Sequence, residues 1–287
     1  MRRPSQNFVT TTSETSGSEM GVLECEMDGQ VALVTLNRPE SRNSLNPELI
    51  VTLADLWSSL GRDDAVRAVV VTGAEGSTFC SGFDLGTTIP LMTGTREPQN
   101  KFEQVVANDN ELTARATLRG YDLGKPLIAA VNGHAIAGGM ELMLSCDLRV
   151  VAQGVKLGLS EVALGLIPGM GGTALLGRRV PSALAMELLL GAQPIVSDDL
   201  AQSGLFNRLV PKSDVLSTAL DLAQIIASNA PLAVKTARKV VRASIDLDES
   251  AALALESEAG TALINTEDAV EGPLAFMEKR APQFRGR

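Results

Sequence analysis

The sequence predicts a layered α/β fold, and three observations carry that prediction. Four short apolar runs rich in β-branched residues, "VALVTL", "AVVVTG", "LIAAVNG" and "DLRVVA", have the unbroken hydrophobicity of strands covered on both faces. Segments of helical period separate several of them. The 287 residues are 45% hydrophobic, enough for a sizeable core.

In chain order, Val31 to Leu36 reads as a strand and "NRP" after it as a turn. Asn46 is a candidate N-cap with Pro47 at the first helical position. Leu49, Ile50, Leu53, Leu56, Trp57 and Leu60 then recur at helical spacing, and Gly61 supplies a stop signal. Ala68 to Gly73, Leu127 to Gly133 and Asp147 to Ala152 read as further strands. Between the first two of these, residues 86–122 carry no clean strand, and Phe102 to Leu118 suits a helix.

From Ser197 the chain reads mostly helical, through "DVLSTALDLAQIIA", "LAVKTARKVVRAS" and "ESAALALESEAGTALI", with Pro273 placed to open a short last helix. Three parts follow: a disordered tail over 1–19, a mixed core over 20–196 and a helical region over 197–287. The tail is rich in Ser and Thr and lacks the apolar core of a secretory signal, and Met20 is a candidate downstream start.

A net charge of −9 and 3% aromatic residues argue against a nucleic-acid surface. No apolar stretch reaches membrane-spanning length. The three separated cysteines (Cys25, Cys80, Cys146) suit reduced thiols in the cytoplasm, and a single histidine excludes a His-rich metal site.

Chemistry concentrates in three Gly-containing segments. In "NGHAIAGGMELMLSCD" the acid Glu141 stands among apolar residues, where an unpaired carboxylate is costly. The glycines before it suit a helix N-terminus whose free N–H groups, near Gly138, favour negative charge. Glu141 would equally serve as a first-turn acid complementing the helix dipole. "FCSGFDL" offers a second exposed N–H at Phe83, or simply a connecting turn capped by Asp84. "LSEVALGLIPGMGG" sets Glu161 in apolar surroundings, or at a loop edge. Within it, "GMGGTA" matches a dinucleotide-binding fingerprint, but Pro168 stands where a strand should deliver the loop.

Together with "NRPESRNSLN", "GLFNRLVP" and "FMEKRAP", these segments resemble the crotonase, or enoyl-CoA hydratase/isomerase, family, in family order and over about residues 21–287. The resemblance implies a crotonase-like spiral of ββα units with a C-terminal helical trimerisation region, assembled as a homotrimer or as a hexamer of two trimers. It implies an acyl-CoA thioester as ligand, with coenzyme A as part of the substrate and no separate cofactor. By position, Phe83 and Gly138 would supply the N–H groups of an oxyanion hole. Glu141 and Glu161 would be the two catalytic glutamates of a hydratase, with Glu161 protonating the α-carbon and Glu141 activating water.

Arg42, Asn43, Ser44, Asp84 and Leu85 match positions along CoA, and Phe276 and Lys279 match positions that reach CoA bound in a neighbouring subunit. The sequence departs from the family pattern at His134, where Tyr or another bulky residue is expected, and at "AGG", where a third Gly usually precedes Met140. Pro273 would shorten the last helix.

Isomerase chemistry typically needs only the Glu161 position, so two glutamates favour a hydratase. A dehydratase of a hydroxyacyl-CoA such as a carnitinyl thioester uses the same chemistry in reverse. A non-catalytic acyl-CoA scaffold on the same fold and an NAD-dependent oxidoreductase resting on "GMGGTA" are the readings from other classes.

Overall fold

The computed structural model describes residues 21–76 and 78–287. The expectations for residues 1–19 and for a start at Met20 lie outside the described residues.

The chain opens with an antiparallel hairpin, β1 (Leu23–Asp28) and β2 (Val31–Leu36), paired from Leu23 with Leu36 to Asp28 with Val31. Helix α1 (Pro47–Arg62) follows. The Asn46 side chain accepts from the Leu49 N–H, and Pro47 occupies the first turn, where its missing donor costs nothing. The helix runs through Gly61 rather than stopping there. A side chain at Gly61 would stand 3.0 Å from the Leu123 carbonyl, so this glycine serves a close approach. Trp57 on the buried face is fully covered, and its Nε1 donates to the Ala116 carbonyl at 3.0 Å.

Beyond α1 the chain repeats one pattern. A strand of a large sheet is followed by a short strand of a small sheet and then by helix. The large-sheet strands are β3 (Ala68–Gly73), β5 (Leu127–Val131) and β7 (Leu148–Ala152). Their small-sheet companions are β4 (Thr78–Cys80), β6 (His134–Ile136) and β8 (Lys156–Gly158). Helices α2 (Thr88–Met92), α3 (Lys101–Asn108) and α4 (Leu112–Ala116) lie between β4 and β5, and α5 (Gly138–Ser145) between β6 and β7. After β8 come a short 3₁₀ turn, α6 (Gly172–Leu176), α7 (Ser182–Gly191), β9 (Ile195–Val196) and β10 (Arg208–Val210).

The large sheet has the order β1-β2-β3-β5-β7-β10, parallel from β2 onward. The small one has the order β4-β6-β8-β9, with β9 antiparallel. This is an α/β spiral of ββα units. Strands β3 and β5 are wholly buried, as their unbroken apolar runs require.

The C-terminal part is a helical bundle of α8 (Val215–Ala227), α9 (Pro231–Ser244), α10 (Glu249–Ile264) and α11 (Glu267–Met277). Two details differ from the sequence expectation. Strand β10 lies beyond residue 197 and pairs with β7, and α8 packs its Val215, Ala219, Ala223 and Ala227 face on the large sheet. Pro273 also lies inside α11 and does not open it. The helix starts earlier because the Thr266 side chain accepts from the Ala269 N–H. Among the described residues, no helix is long and apolar enough to cross a membrane.

Candidate active site

The parallel strands β4, β6 and β8 deliver the three Gly-containing segments to one edge of the small sheet. After β6 the backbone turns sharply at Ala137, whose φ of 52° is a strained value for a residue with a side chain. Helix α5 begins at the next residue and is buried over its whole length. Gly139 is the residue that permits this, since a Cβ there would stand 2.1 Å from the Cys80 carbonyl oxygen. Gly82, with φ of 90°, lies against Ala137 and the Gly138 nitrogen on the other side.

Phe83 is held by a parallel bridge to Leu45, in which the Leu45 N–H donates to Gly82 and the Asp84 N–H to Leu45. That pattern uses the carbonyl of Gly82 and the N–H of Asp84, and leaves the Phe83 N–H without an acceptor among the described residues. The Gly138 N–H is the first of α5 and has no intrahelical acceptor. The Phe83 ring lies beside Gly138, so the two free amides stand on adjoining pieces of backbone.

Glu141 sits in the first turn of α5 at 1% exposure. Its Oε1 accepts from the Met170 N–H at 2.7 Å and the Gly172 N–H at 2.9 Å. Those donors belong to the "GMGG" loop, which sequence reasoning took as part of a Gly-containing segment and weighed as a dinucleotide fingerprint, without a role for its amides. No strand leads into the loop, and the helix after it has five residues, so its amides serve a carboxylate of this chain. Glu161 opens the 3₁₀ turn Glu161–Leu164 and is half-buried, with Oε2 covered and without a hydrogen-bond partner among the described residues.

Burial pushes the Glu141 carboxyl up to about 7, and the charge of Glu161 pushes the same way against the stabilising amides of Gly172 and Met170. Burial also raises Glu161. Both carboxyls therefore resist ionisation, and Glu141 keeps its proton up to near neutral pH.

The residues matched to CoA positions divide in two. Arg42 and Asn43 both adopt left-handed backbone, with φ of 55° and 53°. Asn43 is buried, its Oδ1 accepting from the Arg38 N–H at 2.9 Å and its Nδ2 donating to Thr78 at 3.0 Å. Its side chain therefore braces the loop and offers a ligand no free end. Asp84 accepts from the Gly86 and Thr87 amides and from the Ser44 hydroxyl at 3.2 Å, with Arg38 nearby. Burial opposes its charge, but these bonds hold its carboxyl below the ordinary range. Arg38, which also donates to the Ser44 carbonyl at 2.5 Å, is the organiser that sequence reasoning missed. Arg42 and Leu85 are exposed.

Phe276 is 83% exposed and Lys279 is exposed at the end of α11, whose main packing partner is α10. The single chain therefore separates this pair from the glutamates.

Comparison with known proteins agrees with this architecture. Residues 26–287 match the family model described as enoyl-CoA hydratase/isomerase. The chain is 37% identical to the short-chain-enoyl-CoA hydratase of Clostridium acetobutylicum, covering 91% of this chain and 97% of that one. It is also 37% identical to the 2,3-dehydroadipyl-CoA hydratase of Escherichia coli, covering 90% and 96%. The crystal structure of an enoyl-CoA hydratase from Bacillus anthracis superposes with a TM-score of 0.83 at 32% identity, over 93% of this chain and all of that one. With its ββα spiral and helical C-terminal bundle, the chain belongs to the crotonase, or enoyl-CoA hydratase/isomerase, family.

Proposed function

We propose that this protein is an enoyl-CoA hydratase that adds water across the double bond of a trans-2-enoyl-CoA thioester. The observation that carries the reading is the pairing of two acids with raised pKa values, Glu141 fixed by two backbone amides and Glu161 with a covered, unpartnered oxygen. An isomerase moves one proton and has no use for a second carboxyl held this way.

In the proposed reaction the thioester carbonyl lies between the Phe83 and Gly138 amides. A water held by both glutamates gives a proton to ionised Glu141 while its oxygen bonds to the β-carbon. The electron pair of the double bond moves toward the thioester, and the two amides stabilise the enolate oxygen. Protonated Glu161 then delivers its proton to the α-carbon. Net transfer of a proton from Glu141 to Glu161 through the next water restores the starting state. Run backwards, the same steps dehydrate a 3-hydroxyacyl thioester.

Arg42, Ser44, Asp84 and Leu85 would lie along the CoA moiety, with Asn43 bracing them. Phe276 and Lys279 would reach CoA in a neighbouring subunit. Exposed Val241, Ile245, Leu253, Ile264 and Met277 on or beside the C-terminal helices support an oligomer, for which a homotrimer or a hexamer of two trimers is proposed. The core over residues 20–196 would then carry the chemistry and residues 197–287 the assembly, in the cytoplasm. Equal identity to relatives named for a short-chain and for a dehydroadipyl substrate leaves the acyl group to be set by local residues.

The test is loss of the conjugated thioester absorbance across a series of trans-2-enoyl-CoA esters, with Glu141→Gln and Glu161→Gln alongside. Turnover that both substitutions abolish is the expected result. Binding of every ester without hydration of any would overturn the reading.

A further inference from the structure

Away from the glutamate pair, four arginines converge on one aspartate. Asp147 follows α5, and its Oδ2 accepts from the Leu127 N–H at 2.9 Å and from Arg238 Nε at 2.7 Å. Its Oδ1 accepts from Arg242 Nε at 2.9 Å. Arg242 also donates to the Ser145 carbonyl, and Arg238 reaches Asp122 at the rim. Asp147 is thus fully engaged by two of the four.

The remaining guanidinium groups are under-used. Arg149 is 7% exposed and donates to the Cys146 carbonyl at 3.3 Å, yet its Nε is buried without an acceptor. Arg179 Nε and Arg238 Nη2 are likewise buried without acceptors among the described residues. An ion pair between Arg178 and Asp246, just past α9, ties the Arg179 segment to the end of the helix that carries Arg242. Burial depresses the Arg149 guanidinium to about 10, and the like charges of Arg179 and Arg242 push the same way.

Buried cations without partners are costly, and a guanidinium fork matches a group with two or more anionic oxygens. We infer that Arg149, Arg179 and Arg242 form an oxyanion-binding site, separate from the glutamate pair, that takes a phosphate-like or carboxylate group. The source is either free inorganic anion or a side-chain carboxylate of a second copy of this chain. The site is electrostatic and does not depend on the hydratase reading.

The sign of one substitution tests it. Without an oxyanion, Arg179→Gln relieves repulsion and raises or leaves unchanged the melting temperature. With one, it removes a ligand. Melting would be measured for the full chain and for Arg179→Gln in sodium phosphate and in sodium chloride at equal ionic strength, with light scattering for mass.

A rise of about 3 °C in phosphate for the unaltered chain, absent from the variant, supports the site and assigns it to free anion. A melting temperature insensitive to phosphate but lowered by Arg179→Gln, with a shift to smaller species, supports it and assigns the carboxylate of a second copy. Identical responses to both salts in parent and variant, with no change of mass on substitution, overturn the inference whatever the variant's melting temperature.

Discussion

Met170 donates its backbone N–H to Oε1 of Glu141 at 2.7 Å, and Gly172 adds a second bond to the same oxygen. The carboxylate of α5 is thereby oriented by a loop that begins beyond β8. Glu141 and Glu161 consequently belong to one unit, although their strands are separate.

Each glutamate is expected to be necessary for hydration. Glu141→Gln and Glu161→Gln should each lower kcat by about 10²- to 10⁴-fold with smaller changes in KM, the range for a lost general acid or base. Exchange of the α-hydrogen of a saturated acyl-CoA in deuterium oxide divides the roles. Exchange should persist in Glu141→Gln and vanish in Glu161→Gln; the opposite pattern reverses the assignment.

Stability should fall as pH rises through the acid range. Glu141 has an ordinary value of 4.5 and a folded value of about 7. Between these values the folded chain keeps a proton that the unfolded chain has released, so raising pH favours unfolding, and the effect levels off above the upper value. The full difference is about 3 kcal/mol, and Glu161 adds in the same direction. Denaturant midpoints of the unaltered chain and Glu141→Gln, measured from pH 4.5 to 8, should therefore diverge steadily up to about pH 7. Parallel curves would remove the argument.

The activity profile should mirror this. With Glu141 required as the base, kcat/KM should rise with pH up to an apparent value near 7 and fall once the pair loses its last proton. The two apparent values belong to the pair and not to either residue alone. A flat profile from pH 5 to 9 would count against shared-proton chemistry.

Gly139→Ala should be among the most damaging single-methyl changes in the chain. Its Cβ would fall 2.1 Å from the Cys80 carbonyl oxygen, so α5 or β4 must move. A loss of about 3 kcal/mol, the upper range for overpacking, is expected by denaturant titration. Gly177→Ala, which meets open space, is the control.

Asn43 separates backbone strain from bracing. Asn43→Ala loses two buried hydrogen bonds and must hold a left-handed backbone, whereas Asn43→Gly loses the bonds alone. The alanine variant should be less stable by about 1 kcal/mol, and both should weaken binding of CoA esters through the loop that carries Ser44, whose hydroxyl holds Asp84.

The large sheet was legible where its strands were buried on both faces, because β2, β3, β5 and β7 then read as unbroken apolar runs. The small sheet was not. Its strands "TFC", "HAI", "KLG" and "IV" are too short for any period to emerge, and their pairing is set by neighbours far along the chain. Strand β1 does alternate, with Leu23, Cys25 and Met27 against Glu24, Glu26 and Asp28, but over only six residues. At the site, Glu141 stood out because a carboxylate in apolar surroundings contradicts its neighbours. Met170 and Gly172 act through their amides, and a backbone donor leaves no mark in the residue type. Arg38 likewise looks like any surface arginine until its fold partners are known.

The small sheet has a consequence for tolerance. Strands β4, β6 and β8 run parallel and end just before Phe83, Gly138 and Glu161. A slip of one residue in any of them would displace one reacting group by about 3.3 Å relative to the other two. Misplacement by about 1 Å is already enough to cost a hundredfold in rate. Ladders of only two or three residues thus act as the gauge that spaces the groups proposed to react, and changes to their register should be felt in turnover before they are felt in folding.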